Sequence, residues 1–317
     1  LLCFIALCLF FTPGKAQQLS VMTLRNGATV YIWEDKSKPD VFGMIAFKVG
    51  SVDDPEQYTG LAHYLEHVMF KGTQTIDALD WEKEKPIYEK IIAKYDERAA
   101  LSDPAAREAI DKEINDLTRE AAQYAAGNEF SLLVDHMGGQ GLNASTGYDQ
   151  TEYHNSFPPS QLEKWLEIYS ERLIDPVFRG FQTELEAVYE EYNMYNDDRG
   201  SRMREFIYEQ AFGDHPYARP IIGLPEHLKN PQLSKLIDFY NTWYGPQNMS
   251  IILVGNIDAK EAIPMIRDKF ERVPRRAEIH REKKPVRQFK GRTEKSAKIF
   301  YYPMLALIYL SLIHISE

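Results

Sequence analysis

Apolar and polar positions alternate through residues 19–24 and again through 28–34, on either side of Asn26-Gly27. A period of two places alternate side chains on one face of a strand, and Asn-Gly suits a tight reversal, so the pattern predicts a β-hairpin. VFGMIAFKVGS (41–51) is almost continuously apolar and predicts a buried strand. After a polar loop at 53–59 the chain takes on helical character in HYLEHVMF, with Thr59 as the expected N-cap and Lys71-Gly72-Thr73 as the end. Two charged, alanine-rich stretches within 82–129 predict a helical hairpin broken at Ser102-Asp103-Pro104, projecting from the main domain with a solvated face. The glycines at 138–141 make a turn, without the Lys-Ser/Thr of a phosphate loop, and 142–157 reads as strand.

Ser160 opens an amphipathic helix that stops at Asp175-Pro176, with Trp165 on its core face. An acidic helix follows over 182–198, then helices near 202–212 and 231–243, a buried strand at 250–255 and its partner helix at 258–271. Strands and helices interleave without strict βαβ repetition. The expected fold is α+β: a mixed sheet packed against helices in a domain spanning 19–275, with 82–129 inserted.

Composition narrows the function. With 47 acidic against 37 basic residues in 317, the chain lacks the basic balance of a nucleic-acid binder. The basic, proline-containing stretch 275–292 reads instead as an interdomain linker. The opening LLCFIALCLFFTPGKAQQ holds an apolar run of about 12 residues, too short to span a bilayer. Gly14 and Ala16 are small where a signal peptidase requires it, so 1–16 is expected to be a signal peptide, and the mature protein periplasmic or secreted in a bacterium, with no stable membrane span. Both cysteines, Cys3 and Cys8, fall in this leader, which excludes a thiol nucleophile, a disulfide scaffold or a Cys-ligated metal elsewhere. At the far end, 276–303 is expected to be the linker and the start of a second domain, and 304–317, which lacks periodicity, a non-native tail.

The chemistry centres on residues 63–67, His-Tyr-Leu-Glu-His. On a helix, side chains four apart share a face, so His63 and His67 can address one ion. Glu66 sits beside them, within reach of water at that ion. Two imidazoles and a carboxylate are the equipment of a zinc hydrolase, and HxxEH is the inverse of the commoner HExxH. On the motif alone, a helix that merely happens to carry two histidines is the alternative. A third donor decides between them, and the remaining histidines share no helical face. In the acidic helix, Glu184, Ala187, Val188, Glu191 and Tyr195 fall on one stripe, with Glu186 and Glu190 opposite. A carboxylate on an apolar stripe needs a cation, which makes Glu191 the candidate third ligand. Glu184, two turns earlier, is placed to orient a histidine or water. An exposed acidic helix would explain Glu186 and Glu190 but not the stripe.

With GLAHYLEHVMFKGT (60–73), LNASTGYDQTEYH (142–154), ELEAVYEEYNMYNDD (184–198), HPYARPIIG (215–223) and WYGPQNMSIILVGNID (243–258) in order, the chain resembles the M16 (pitrilysin, or inverzincin) metallopeptidases. The resemblance implies a zinc ion on His63, His67 and Glu191, Glu66 as the catalytic base and Glu184 in support. It also implies that Asn143 and Ala144 hold an extended peptide on an edge strand. The interval from His67 to Glu191 is longer than the family's by about the length of the hairpin. Family members enclose substrate between two homologous halves, so a second M16 half, in cis or in trans, is the expected partner. The function implied is a zinc endopeptidase acting on unstructured peptides; the alternative is a catalytically incompetent fragment or non-catalytic partner subunit.

Overall fold

The computed structural model describes residues 18–281, 284–285, 291–299 and 303–308. The expected leader at 1–16, parts of the expected linker and the last residues of the tail lie outside them.

β1 (Gln18–Thr23) and β2 (Thr29–Glu34) pair as the predicted antiparallel hairpin. At the reversal Gly27 N–H donates to the Leu24 carbonyl, and Leu24 N–H to that of Ala28. The buried Asn26 amide donates to the carbonyls of Phe270 and Val273, pinning the turn to the far end of the domain. Next come β3 (Val41–Phe47) and α1 (Leu61–Val68), then the long α2 (Trp81–Ala100) and α3 (Pro104–Ala121). α4 (Glu129–His136), a helix the sequence pattern did not reveal, precedes β4 (Gln140–Thr146) and β5 (Thr151–Phe157). α5 (Leu162–Glu171), α6 (Phe181–Asp197), α7 (Arg199–Phe212), α8 (Pro225–Leu228) and α9 (Leu233–Trp243) follow, and β6 (Met249–Gly255) and α10 (Ala259–Phe270) close the domain.

The six strands form one sheet in the order β1-β2-β6-β3-β5-β4, antiparallel throughout except where β2 runs parallel to β6. The fold is α+β with a mixed sheet, as the sequence predicts. The sheet is one-sided. Val30, Ile32, Ile45, Phe47, Tyr153, Phe157, Ile251 and Leu253 are buried on one face, while Leu19, Val21, Tyr31, Trp33 and Val254 are exposed. β3 is central, buried on its core side and half-buried on the other. Trp165 stacks on Phe157 and Tyr169 across that core. Buried Asn155 accepts from both Trp165 Nε1 (2.8 Å) and the Tyr169 hydroxyl (2.7 Å), so α5 is keyed to β5 by hydrogen bonds as well as by area.

Three expectations change. The helical hairpin does not stand off the domain. Tyr95 of α2 meets the Phe181 ring edge-on, and Glu84, 2% exposed, forms a two-pronged pair with Arg179 at 2.6 and 2.7 Å. The alanine-rich composition hid this because only one α2 face docks. Thr59 is not the cap of α1; the capping position is Gly60, at φ +89°. Gly60 packs against Gly223, also at positive φ, so closely that a side chain on either would meet the other's backbone. Thr59 Oγ1 instead accepts from Leu224 N–H and lies 2.7 Å from His227 Nδ1. In α6 the buried row is Phe181, Leu185 and Val188, and Ala187 and Tyr195 are exposed. Spacings of three and four leave the stripe's direction uncertain by a fraction of a turn, and the end of α6 runs past the core. The expected linker, as far as it is described to residue 281, has no regular structure but is held down: Gln247 Nε2 donates to the carbonyls of Arg276 and Ala277, and Arg281 pairs with Asp53 at 2.6 Å.

Candidate metal centre

An eight-residue helix is too short to persist alone, so α1 depends on its surroundings. Leu61, Ala62, Tyr64, Leu65 and Val68 are buried, and the Tyr64 hydroxyl donates to the carbonyl of Phe181, the first residue of α6. That packing leaves His63, Glu66 and His67 on the side facing α6 and β4. Both ends of the helix are met from elsewhere in the chain. Gly60 and Ala62 N–H groups donate to the two carboxylate oxygens of Asp54, at 2.7 and 2.9 Å.

His63 Nε2 lies 3.5 Å and His67 Nε2 3.8 Å from the same oxygen of Glu191. One donor atom from each of the three residues falls within 4.8 Å of the others. Tetrahedral coordination at about 2.0–2.1 Å separates donors by roughly 3.4 Å, so the set fits a zinc-sized ion with little adjustment. Burial and the neighbouring His67 push the His63 imidazole down to about 3, which keeps it neutral and its lone pair available. Burial acts the same way on His67 but is outweighed by its hydrogen bond to Glu184 and by the Glu191 and Glu66 charges, so its pKa is raised. Glu184 accepts from His67 Nδ1 at 3.3 Å, which directs Nε2 toward Glu191. Lys71 Nζ, 2.6 Å from the other Glu184 oxygen, helps hold that carboxyl below its usual range after the His67 bond.

Glu66 lies beside this set. Burial raises its carboxyl, and the Thr146 hydroxyl of β4 donates to it. The structure thus brings His63, Glu66, His67, Glu184 and Glu191 together, and leaves Glu190 exposed on the far side of α6. Asn143 and Ala144 lie on β4, the edge strand. Asn143 is exposed, while Ala144 packs on the core side with Thr146.

The sequence reading missed Lys71, Thr146 and Asp54. Lys71 lies past the end of α1, so helical spacing from His67 does not place it. Thr146 follows Ala144 by two, hence points the same way from β4. Asp54 carried no local signal, because its bonds skip the intervening loop.

A family model described as "Insulinase (Peptidase family M16)" matches residues 29–85 and 117–224, over half of the chain, and one described as "Peptidase M16 inactive domain" matches 232–313. The chain is 25% identical over 270 residues to the probable zinc protease PqqL of Escherichia coli, covering 81% of this chain and 23% of that protein. It is 24% identical to the zinc protease PqqE of Helicobacter pylori, covering 79% and 46%. The crystal structure of the first half of the periplasmic protease PqqL from Escherichia coli superposes with a TM-score of 0.63 at 25% identity, over 85% of this chain and 49% of that one. Pitrilysin matches in fold, at a TM-score of 0.63 and 22% identity, over 86% of this chain and 25% of its own. The chain therefore spans between about a quarter and a half of the length of these relatives.

Proposed function

This chain belongs to peptidase family M16, the insulinase family, and from that premise we propose that it is the metal-carrying part of a zinc-dependent endopeptidase acting on unstructured peptides. The observation that carries the reading is the convergence of His63, His67 and Glu191 with the Glu66 carboxylate alongside. The three donors would hold the zinc; when bound, it polarises the scissile carbonyl and makes water acidic enough to lose a proton near neutrality. Glu66 accepts that proton and passes it to the leaving amine. Its burial raises its basicity, and the Thr146 hydroxyl fixes the carboxylate's direction. Glu184, charge-matched by Lys71, holds His67 in the tautomer that presents Nε2.

Among the described residues β4 has an unpaired outer edge in the sheet order, where an extended peptide can add as a further strand, with Asn143 and Ala144 at that edge. This geometry favours unfolded substrates, since a folded one offers no free strand. A second M16 half would close the site, as the short span relative to its relatives suggests, and residues 86–116, between the two matched stretches, support reading α2 and α3 as an insertion. The likeness to the periplasmic protease PqqL supports a periplasmic or secreted location; among the described residues no helix is long and apolar enough to cross a membrane.

The test compares wild type with Glu66→Gln on a fluorescence-quenched unstructured peptide, with zinc content measured in parallel. Wild type should cleave, stop with chelator and recover with zinc; Glu66→Gln should keep its zinc and turn over at least a hundredfold more slowly. Robust cleavage by Glu66→Gln refutes the base assignment. A zinc-loaded wild type that cleaves nothing, even with a second half supplied, points to a non-catalytic subunit.

A further inference from the structure

Two of the buried charged residues outside the mechanism, Asp54 and Arg172, sit at opposite ends of one helix. Asp54, 2% exposed, meets the N-terminus of α1 through the Gly60 and Ala62 N–H bonds. Arg172, 1% exposed, donates from Nη2 to the carbonyl of Met69, the residue that caps the C-terminus of α1, at 3.0 Å. Its guanidinium carbon lies 4.4 Å from the Phe130 ring centre, 4.5 Å from Tyr153 and 4.8 Å from Phe70, and its Nε and Nη1 have no hydrogen-bond partner among the described residues.

We propose that Asp54 and Arg172 are positioning residues that clamp α1 from its two ends and so set where His63, Glu66 and His67 stand against Glu191 and Thr146. The signs match the helix. An acid belongs at the end where N–H groups are unsatisfied and a base at the end where carbonyls are. In a helix this short those end groups are nearly all the polar backbone there is. The helix supplies no cap of its own: Gly60 has no side chain to fold back. A slip of one residue would move the donors by about 1.5 Å and turn them by about 100°. That is enough to take both imidazoles away from a Glu191 oxygen now 3.5 and 3.8 Å distant. The aromatic cage admits a cation at that spot and keeps water from competing for the Met69 carbonyl.

The clamp rests on the zinc reading for its consequence but not for its existence, and the experiment separates the two. Asp54→Asn, Arg172→Met and Arg172→Lys are made in the full chain, with Ile110→Ala in α3 as a distant core control. At pH 8, amide hydrogen exchange over residues 60–69 should quicken about tenfold or more in Asp54→Asn and Arg172→Met relative to α9 and α10. The zinc dissociation constant should rise about tenfold in both, as for lost supports of metal ligands. The rate constant kcat should fall with KM for the peptide within twofold, and Arg172→Lys should recover most of the zinc affinity. Ile110→Ala should lower Tm without changing zinc affinity. If Arg172→Met does not fold, Asp54→Asn and Arg172→Lys decide. Unchanged α1 exchange and unchanged zinc affinity in Asp54→Asn, or in a folded Arg172→Met, overturn the clamp. A wild type that binds no zinc would sink the proposed function instead, and the exchange measurement would still judge the clamp.

Discussion

Replacing Glu84 by alanine tests whether the long helical hairpin is bolted to the site or merely lies near it. Glu84 is 2% exposed and faces Arg179, whose side chain is 11% exposed, through two short charged hydrogen bonds. Arg179 also donates to the Lys71 and Ile76 carbonyls and stands just before α6, so it joins α2, the turn after α1 and the helix carrying Glu184 and Glu191. Removing the acid leaves a guanidinium buried without its counter-charge, which costs about 3–5 kcal/mol for well-buried pairs. The surviving carbonyl bonds and the Trp81 ring beneath Arg179 place this case near the lower end, about 3 kcal/mol. At roughly 2–4 °C per kcal/mol for a domain of this size, Tm should fall by about 6–12 °C. The comparison is Lys94→Ala, which removes solvent-screened pairs with Glu97 and Glu113 and should leave Tm close to wild type. Paired calorimetric and urea melts measure both. If Glu84→Ala melts as Lys94→Ala does, the Glu84–Arg179 pair is not a structural bolt and the coupling of hairpin to site is refuted.

Other outcomes follow from the same geometry. Glu191→Ala should abolish stoichiometric zinc binding while Glu190→Ala binds as wild type; equal zinc content in the two by atomic absorption would remove Glu191 from the ligand set. Gly43→Ala would put a methyl group 2.5 Å from the Trp165 ring and 2.9 Å from Phe157, an overpacking worth about 1–3 kcal/mol in urea melts; an unchanged midpoint would show that the β3–α5 contact yields freely. Burial pushes the Asp54 carboxyl up to about 7, against the Ala62 and Gly60 N–H bonds. A carboxyl raised on folding stabilises the folded state below its unfolded value and loses that contribution as pH rises through its folded value. Wild type should therefore lose up to about 4 kcal/mol, relative to Asp54→Asn, between pH 4 and pH 8; parallel stability profiles for the two would contradict this.

Much of this protein is local and hence legible in its residues. A period of two around Asn26-Gly27 determined the first hairpin, and the apolar runs at 41–51 and 250–255 determined the two central strands. The four-residue spacing of His63 and His67 determined that both imidazoles share one side of α1, whereas the stripe that favoured Glu191 over Glu190 was only in part the buried one, since Ala187 and Tyr195 are exposed. These features concern neighbours within about two turns or a few strand positions, where backbone geometry alone relates one side chain to another. What only the tertiary structure decided is what each of those faces meets. Thr146 reaches Glu66 across 80 positions, and Arg172 reaches Met69 across 103. Arg179 and Glu84 bring the hairpin onto the domain across 95. Asp54 caps a helix that begins seven residues later, across a loop that the sequence reading gave its own cap. No period encodes such partners, because they are set by how whole elements pack, and packing depends on volume and charge summed over the fold.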